Sequence, residues 1–186
     1  NQTVTEDSST IQDPHVWLSP PLASQMLDKI EAAYEKADPT NATYYRAHAD
    51  TLKAQLSKLD AEYRTRLDSC QSKDIITSHA AFGYLANTYG LTQVPIAGLS
   101  PDAEPSPAQL ASIADFAKKN HVSYIFFESL VSPKLADTIA NEIGAKTLVL
   151  NPIEGLSSDQ LKAGDTYITE MTNNLTNLTM ALRCGK

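Results

Sequence analysis

Asp74-Ile-Ile-Thr-Ser-His79-Ala-Ala-Phe-Gly-Tyr-Leu-Ala-Asn-Thr-Tyr89 is the stretch of sequence that decides the fold. Its two isoleucines predict a short buried strand that ends at Thr77. Apolar residues then recur at the spacing of a helix with one buried face: Phe82, Leu85, Ala86 and Tyr89. His79 therefore lies at a strand-to-helix turn, where open α/β sheets bind ligands. A ligand-binding histidine and a helix-capping histidine fit this stretch equally well.

The same alternation of strand and helix continues to the end of the chain. Strands are predicted over residues 75–77, 93–96, 122–127 and 147–150. Helices are predicted over residues 80–89, from Ser106, over 133–143 with Gly144 as the C-cap, and from about Ser158 or Asp165 to near Leu182. Strands alternating with helices of this length predict an α/β domain with a parallel four-stranded sheet.

The first third of the chain has a different pattern. Residues 1–12 are polar and predict a loop, and Ser19 with two following prolines predicts the start of a helix that ends near residue 37. Apolar spacing then predicts a helix over residues 43–68, which at 1.5 Å per residue is on the order of 40 Å long. A helix of that length spans a whole domain.

Composition excludes some classes of function. The chain of 186 residues has a net charge of −7 and no basic run, which argues against nucleic acid as a partner. Its apolar runs are too short for a membrane span. Cys70 and Cys184 do not form a metal-binding CxxC pair, and they predict either one disulfide in an extracytoplasmic protein or two free thiols. The disulfide is favoured because it would tether the end of the chain.

Three candidate ligands follow predicted strands. They are His79, Glu128 and Glu154, and the loop that holds Asp102 and Glu104 follows the remaining strand. Any one of these carboxylates alone is more simply a solvated loop residue. Because the carboxyl ends of parallel strands share one edge, a histidine and carboxylates meeting there predict a site for a divalent transition metal such as zinc or manganese.

The remaining histidines and the known catalytic motifs add less. His15 precedes a helix beside Trp17, His48 lies within the long helix and is expected at the surface, and His121 lies at a helix end, where capping explains it. The sequence contains no G-x-S-x-G elbow, P-loop or G-x-G-x-x-G motif. These observations argue against an enzyme.

Five motifs in order carry a resemblance that covers nearly the whole chain. They are Asp13-Pro-His-Val-Trp-Leu-Ser-Pro20, Ser78-His-Ala-Ala-Phe-Gly-Tyr84, Gly98-Leu-Ser-Pro-Asp-Ala-Glu-Pro-Ser-Pro107, Phe126-Phe-Glu-Ser129 and Leu150-Asn-Pro-Ile-Glu-Gly-Leu156. Together they resemble the metal-binding solute-binding proteins of bacterial zinc and manganese ABC importers. In that family two (β/α) lobes are joined by a long rigid helix, and the metal lies in the cleft between them.

The resemblance implies a division of the chain into three parts. Residues 1–42 resemble a remnant of the first lobe, residues 43–69 the connecting helix, and residues 70–186 the metal-binding second lobe. The chain then corresponds to half of a two-lobed periplasmic-binding-protein-like fold. The family's first histidine, from the early part of the first lobe, has no equivalent here. An exposed apolar patch on the face left by the absent half would favour self-association.

The resemblance also implies the roles of individual residues. His15 and His79 are implied metal ligands, and a histidine at position 79 is typical of zinc-type members. Asn151 lies at or near the position of an aspartate ligand of the family but is a poor metal ligand, which points instead to Glu154. Glu128 and Glu104 resemble pocket or supporting residues, together with Asn151.

The implied function is that of an extracytoplasmic receptor, periplasmic or lipid-anchored, that captures Zn²⁺ and delivers it to the membrane permease of an ABC importer. No reaction is catalysed on this interpretation. The alternatives are a manganese-binding receptor, an adhesion or interaction protein that reuses the fold, and a metal hydrolase, since three protein ligands leave one open position on zinc.

Overall fold

The computed structural model describes residues 2–6, 9–100 and 105–185 of the chain. Its strands are β1 (Thr3–Glu6), β2 (Ser9–Gln12), β3 (Asp74–Thr77), β4 (Thr92–Pro95), β5 (Tyr124–Phe127) and β6 (Lys146–Val149). Its helices are α1 (Pro20–Ala37), α2 (Ala42–Asp68), α3 (Gly83–Tyr89), α4 (Pro107–Lys119), α5 (Lys134–Ile143), α6 (Ser158–Ala163) and α7 (Tyr167–Ala181). Among the described helices, none combines the length and apolar character that a bilayer crossing needs.

A four-stranded sheet forms the centre of the fold. Its strands are parallel and lie in the order β4-β3-β5-β6. Successive residues of a strand point to opposite faces, so Ile75 packs in a core with α2, α3 and α7, whereas Ile76 packs in a second core with α4 and α5. Helices therefore cover both faces, as purely parallel sheets require. The predicted α/β class and the parallel four-stranded sheet are confirmed.

Helix α2 is the long helix that the sequence predicts, and its 27 residues span about 40 Å. Its carboxyl-terminal half packs in the first core through Leu59, Tyr63 and Leu67. The buried Tyr63 hydroxyl donates a hydrogen bond of 2.7 Å to the Met171 carbonyl of α7. The other half of α2 packs against α1, of which only Pro20 is buried. Helix α2 thus joins the outlying α1 to the sheet.

The prediction of a loop over residues 1–12 is wrong. Strands β1 and β2 form an antiparallel hairpin in which Thr3 pairs with Gln12 and Val4 with Ile11. The segment is rich in β-branched residues, which favour strands, but it lacks the alternation of apolar and polar residues that marks a half-buried strand. The hairpin ends directly before Asp13, so it delivers the first site residues to the fold.

Two predicted helix boundaries and one predicted helix cap also need correction. Helix α3 begins at Gly83 rather than at residue 80, because the Ala80 amide donates to the Gly98 carbonyl instead of entering the helix. Ser19 occupies the N-cap position of α1, but its hydroxyl pairs with that of Thr88 and not with the helix backbone. The last predicted helix is two helices, because Gly164 adopts a φ of +78° and ends α6.

A disulfide joins Cys70, just beyond α2, to Cys184 after α7. The two cysteines are 114 residues apart in sequence, so the bond encloses the whole sheet. Backbone hydrogen bonds from Gln71 to Arg183 and from Ser72 to Leu182 lie beside it. The end of α7 is therefore fixed to the segment that leads into β3.

Replacing both cysteines with alanine should lower the free energy of unfolding by about 2–5 kcal/mol, because closing a long loop restricts the unfolded chain. The measurement is urea unfolding followed by circular dichroism. The wild type in a reducing agent is the control and should lose a similar amount. Unchanged stability in both would show that the disulfide does not restrain the unfolded state.

Candidate metal site

Three side chains from separate parts of the chain meet at the carboxyl edge of the sheet. His15 follows the hairpin, His79 follows β3 and Glu154 follows β6. One ligand atom from each lies within 4.8 Å of the others. Within the described ranges this is the one such cluster of histidine, cysteine and acidic side chains.

His79 is fully buried and fixed on two sides. Its backbone carbonyl accepts hydrogen bonds from the Thr77 hydroxyl at 2.8 Å and from the Gln93 amide at 3.0 Å. Its Nδ1 lies 2.5 Å from Oε1 of the buried Glu128, so Nδ1 donates to that carboxylate. Its Nε2 is buried and has no hydrogen-bond partner among the described residues. A carboxylate on one ring nitrogen and a bare lone pair on the other are typical of a histidine metal ligand.

His15 is oriented by the carboxylate of Asp13, which is also buried. Asp13 Oδ1 accepts from the His15 backbone amide and from His15 Nδ1, both at 2.8 Å. A Cβ atom at position 83 would lie 2.9 Å from Asp13 Oδ2, so Gly83 makes room for this carboxylate. The opposite ring nitrogen, Nε2, lies 2.9 Å from Glu154 Oε1.

Both ring nitrogens of His15 face carboxylates, which favours the doubly protonated ring. Burial lowers the pKa of His15, but the hydrogen bonds to Asp13 and Glu154 together outweigh burial and raise this pKa above its ordinary value of 6.5. Below this raised pKa, a proton on Nε2 bridges His15 and Glu154 in the metal-free protein. A metal ion that binds there must displace this proton.

Glu154 is the most exposed member of the cluster, with 37% of its side chain accessible. Its Oε1 lies 2.9 Å from His15 Nε2 and 3.6 Å from His79 Nε2, so one oxygen faces both imidazoles. It also lines an open cavity of about 580 Å³ with Trp17, Ile153 and Tyr167. Glu154 therefore lies between the buried histidines and the outside of the protein.

The donor set fits zinc. Two imidazole nitrogens and one carboxylate oxygen match the ligands of open zinc sites, in which a fourth position stays available. Donor atoms around a tetrahedral zinc ion lie about 3.3 Å apart, and the observed distances of 2.9 and 3.6 Å lie on either side of that value. All three ligand atoms lie within 4.8 Å of one another, close enough to share one ion.

The other predicted site residues have different places. Glu128 supports His79 and lies behind it rather than beside Glu154. Asn151 uses its side-chain oxygen to accept from the Ile153 amide and its side-chain amide to donate to Glu170, so both of its polar atoms are occupied within the protein. Glu104 lies outside the described residues.

The sequence interpretation did not assign a role to Asp13. Its signal is the Asp-Pro-His order, since an aspartate commonly bonds the backbone amide two residues on, but its contact with the imidazole is visible only in the fold. The two remaining histidines are exposed: His48 packs on Tyr44 within α2, and His121 follows α4 with a φ of +53°.

Comparisons with known proteins identify similar sequences and similar structures. A family model described as ZnuA, zinc-uptake complex component A, periplasmic, matches residues 1–181. The chain is 52% identical over 167 residues to the high-affinity zinc uptake system protein ZnuA of Bacillus subtilis (strain 168), an alignment that covers 90% of this chain and 52% of that protein. The chain thus spans about half the length of this curated relative.

Solved structures share the fold. The Zn(II)-bound ZnuA-like domain of AdcA from Streptococcus pneumoniae has a TM-score of 0.79 at 44% identity and is matched over 91% of this chain and 64% of its own. The laminin-binding protein Lbp of Streptococcus pyogenes has a TM-score of 0.83 at 38% identity and is matched over 91% and 64%. Both identities are high enough to compare more than the fold.

Affinity for zinc should fall as the pH falls, because protons compete for His15 Nε2. The raised pKa of His15 places the onset above pH 6.5, and one displaced proton gives about a tenfold loss per pH unit below it. The sign for folding is opposite. Protonated His15 stabilises the metal-free fold below the unfolded pKa, and that stabilisation is lost as the pH rises through the folded pKa.

The measurement is zinc titration by calorimetry between about pH 5.5 and 8. Asp13→Asn is the informative variant, because loss of the carboxylate lowers the pKa of His15 and should move the onset to lower pH. Equal affinities at both ends of the range in the wild type would contradict displacement of a proton.

Proposed function

From the premise that this chain belongs to the zinc-uptake complex component A family, we propose that it is the zinc-binding part of an extracytoplasmic receptor for an ABC importer. The receptor captures Zn²⁺ and delivers it to the membrane permease. His15, His79 and Glu154 bind the ion, and Asp13 and Glu128 orient the two imidazoles. The protein acts by binding and release, without catalysing a reaction.

The observation that carries this proposal is the bare, buried Nε2 of His79 beside a second imidazole and a carboxylate. Burying such a nitrogen without a hydrogen-bond partner costs free energy, so its burial needs an explanation. A bound cation supplies the missing partner. Two imidazoles favour zinc over manganese, which prefers oxygen ligands.

We propose the location and the organisation of the chain on the same grounds. The disulfide between Cys70 and Cys184 supports an oxidising compartment outside the cytoplasm. The similarity to the family supports the division into residues 1–42, residues 43–69 as the connecting helix, and residues 70–186 as the metal-binding lobe. The family supports a permease as the partner, because the matching family model describes a component of a zinc-uptake complex.

His79→Ala should weaken zinc binding by more than about 100-fold, because even residues that only orient a ligand contribute 10–100-fold. The measurement is calorimetric titration with Zn²⁺ and then Mn²⁺, with molar mass followed by light scattering. His48→Ala is the matched control, since it removes an exposed histidine of α2.

The expected result is one zinc per wild-type chain and unchanged binding in the control. One zinc per two chains with a doubled mass would assign part of the ligand set to a second copy. A His79→Ala variant that binds zinc as tightly as the wild type would contradict the ligand assignment.

A second candidate function is attachment to laminin, which the similarity to the structure of the laminin-binding protein Lbp favours. An adhesive surface does not need the imidazoles themselves. Binding of the chain to immobilised laminin should then be the same for the wild type and for a His15→Ala/His79→Ala variant. Absence of laminin binding by the wild type would remove this candidate.

A further inference from the structure

Three polar side chains are buried behind the turn that carries Glu154. Asn151 precedes the turn, and Glu170 and Asn174 lie on α7 one helical turn apart. Each is no more than 4% exposed. Polar groups at this depth are retained only where their hydrogen bonds are made, so their contacts show what they hold.

These contacts converge on Asn151. Its side-chain amide donates to Glu170 Oε2 at 2.6 Å, and its backbone amide donates to Asn174 Oδ1 at 2.8 Å. The Asn174 side-chain amide donates to the Asn151 carbonyl at 2.7 Å. Helix α7 therefore fixes both the backbone and the side chain of Asn151.

The remaining polar atom of Asn151 acts on the next turn. Its Oδ1 accepts from the Ile153 backbone amide at 2.8 Å. Ile153 has a φ of +57°, a conformation that is unfavourable for a β-branched residue. Because Glu170 and Asn174 hold Asn151, its hydrogen bond to the Ile153 amide maintains this conformation. Glu154 is the residue that follows Ile153.

The Glu154 side chain is held less firmly than the two imidazoles, so it needs such a support. Its side chain is 37% exposed, whereas His15 and His79 are buried and each has a carboxylate behind it. If Ile153 relaxed to a negative φ, the backbone entering Glu154 would turn and carry its carboxylate away from the imidazoles.

We propose that Glu170 and Asn174 of α7 are positioning residues for the metal site, and that they act through Asn151 and Ile153 to hold Glu154 in place. This inference rests on the proposed function, in which Glu154 binds zinc. It also explains the amide at position 151. An aspartate there would place a second carboxylate 2.6 Å from that of Glu170, a contact between like charges that forms only when one of the two carboxylates takes up a proton.

The test is a double-mutant cycle on zinc affinity with Glu170→Ala, Glu154→Ala and the double variant. Glu170→Ala should weaken zinc binding by about 10–100-fold, the usual effect of residues that orient a ligand. In the Glu154→Ala background the same change should have no further effect on affinity. Glu170→Gln should restore most of the affinity, because its amide oxygen still accepts from Asn151.

The visible absorption spectrum of bound Co²⁺ gives a second readout, which a general loss of stability would not change. Co²⁺ replaces zinc in such sites, and its visible absorption reports the coordination number and geometry of the ion. The spectrum of the Glu170→Ala protein should match that of Glu154→Ala rather than that of the wild type. Asn174→Ala should behave in the same way, with Asn173→Ala, its exposed neighbour on α7, as the matched control.

Thermal unfolding identifies variants that no longer fold. If Glu170→Ala is one of them, Glu170→Met takes its place in the cycle, because it fills the space but offers no carboxylate. Equal losses of affinity in the wild-type and Glu154→Ala backgrounds would overturn the positioning role, and so would unchanged affinity in a folded Glu170 variant. Wild-type affinity in Glu154→Ala would instead overturn the ligand assignment on which the inference rests.

Discussion

The parallel pairing of β3, β5 and β6 is the constraint on which the site depends. The apolar faces of helices cover both sides of these strands. Loops that connect a strand to a helix therefore lie beyond the strand ends. In a parallel sheet the carboxyl ends of the strands share one edge. His79, Glu128 and Glu154 occupy the turns after the three strands. A shift of β3 by one residue would exchange Ile75 and Ile76 between the two cores, so the packing that fixes the register also fixes where His79 points.

Burial then decides how the imidazoles are presented. A buried histidine needs partners for both ring nitrogens, and the fold gives each of the two histidines a buried carboxylate on Nδ1. Both Nε2 atoms are left facing Glu154. Below the raised pKa of His15, the metal-free protein carries a proton where the proposed ion binds. The predicted loss of zinc at low pH and the stabilisation of the metal-free fold then have one cause, since the proton takes over the contact between His15 and Glu154.

Much of the fold and part of the site could be predicted from the sequence, because both follow from local patterns. Ile75 and Ile76 mark a buried strand, and Gly144 marks a helix end with a φ of +71°. The placement of His79 after a strand is enough to bring it near Glu128. The role of Asp13 could not be predicted, since the sequence shows a carboxylate but not its burial. The hairpin escaped prediction because its strands lack apolar alternation.

The contacts of α7 with Asn151 could not be predicted either, because they join residues 19 and 23 positions apart that carry no shared pattern. They nevertheless resolve a difficulty in the sequence, where an amide stands near the position of an expected aspartate ligand. The site already gathers the carboxylates of Asp13, Glu128 and Glu154 around two imidazoles. A further carboxylate at position 151 would add repulsion at a distance where the protein interior screens charge poorly. The Asn151 amide supports the turn and adds no charge. The support for Glu154 is therefore neutral at Asn151, beside the site, and charged only at Glu170, one hydrogen bond further away.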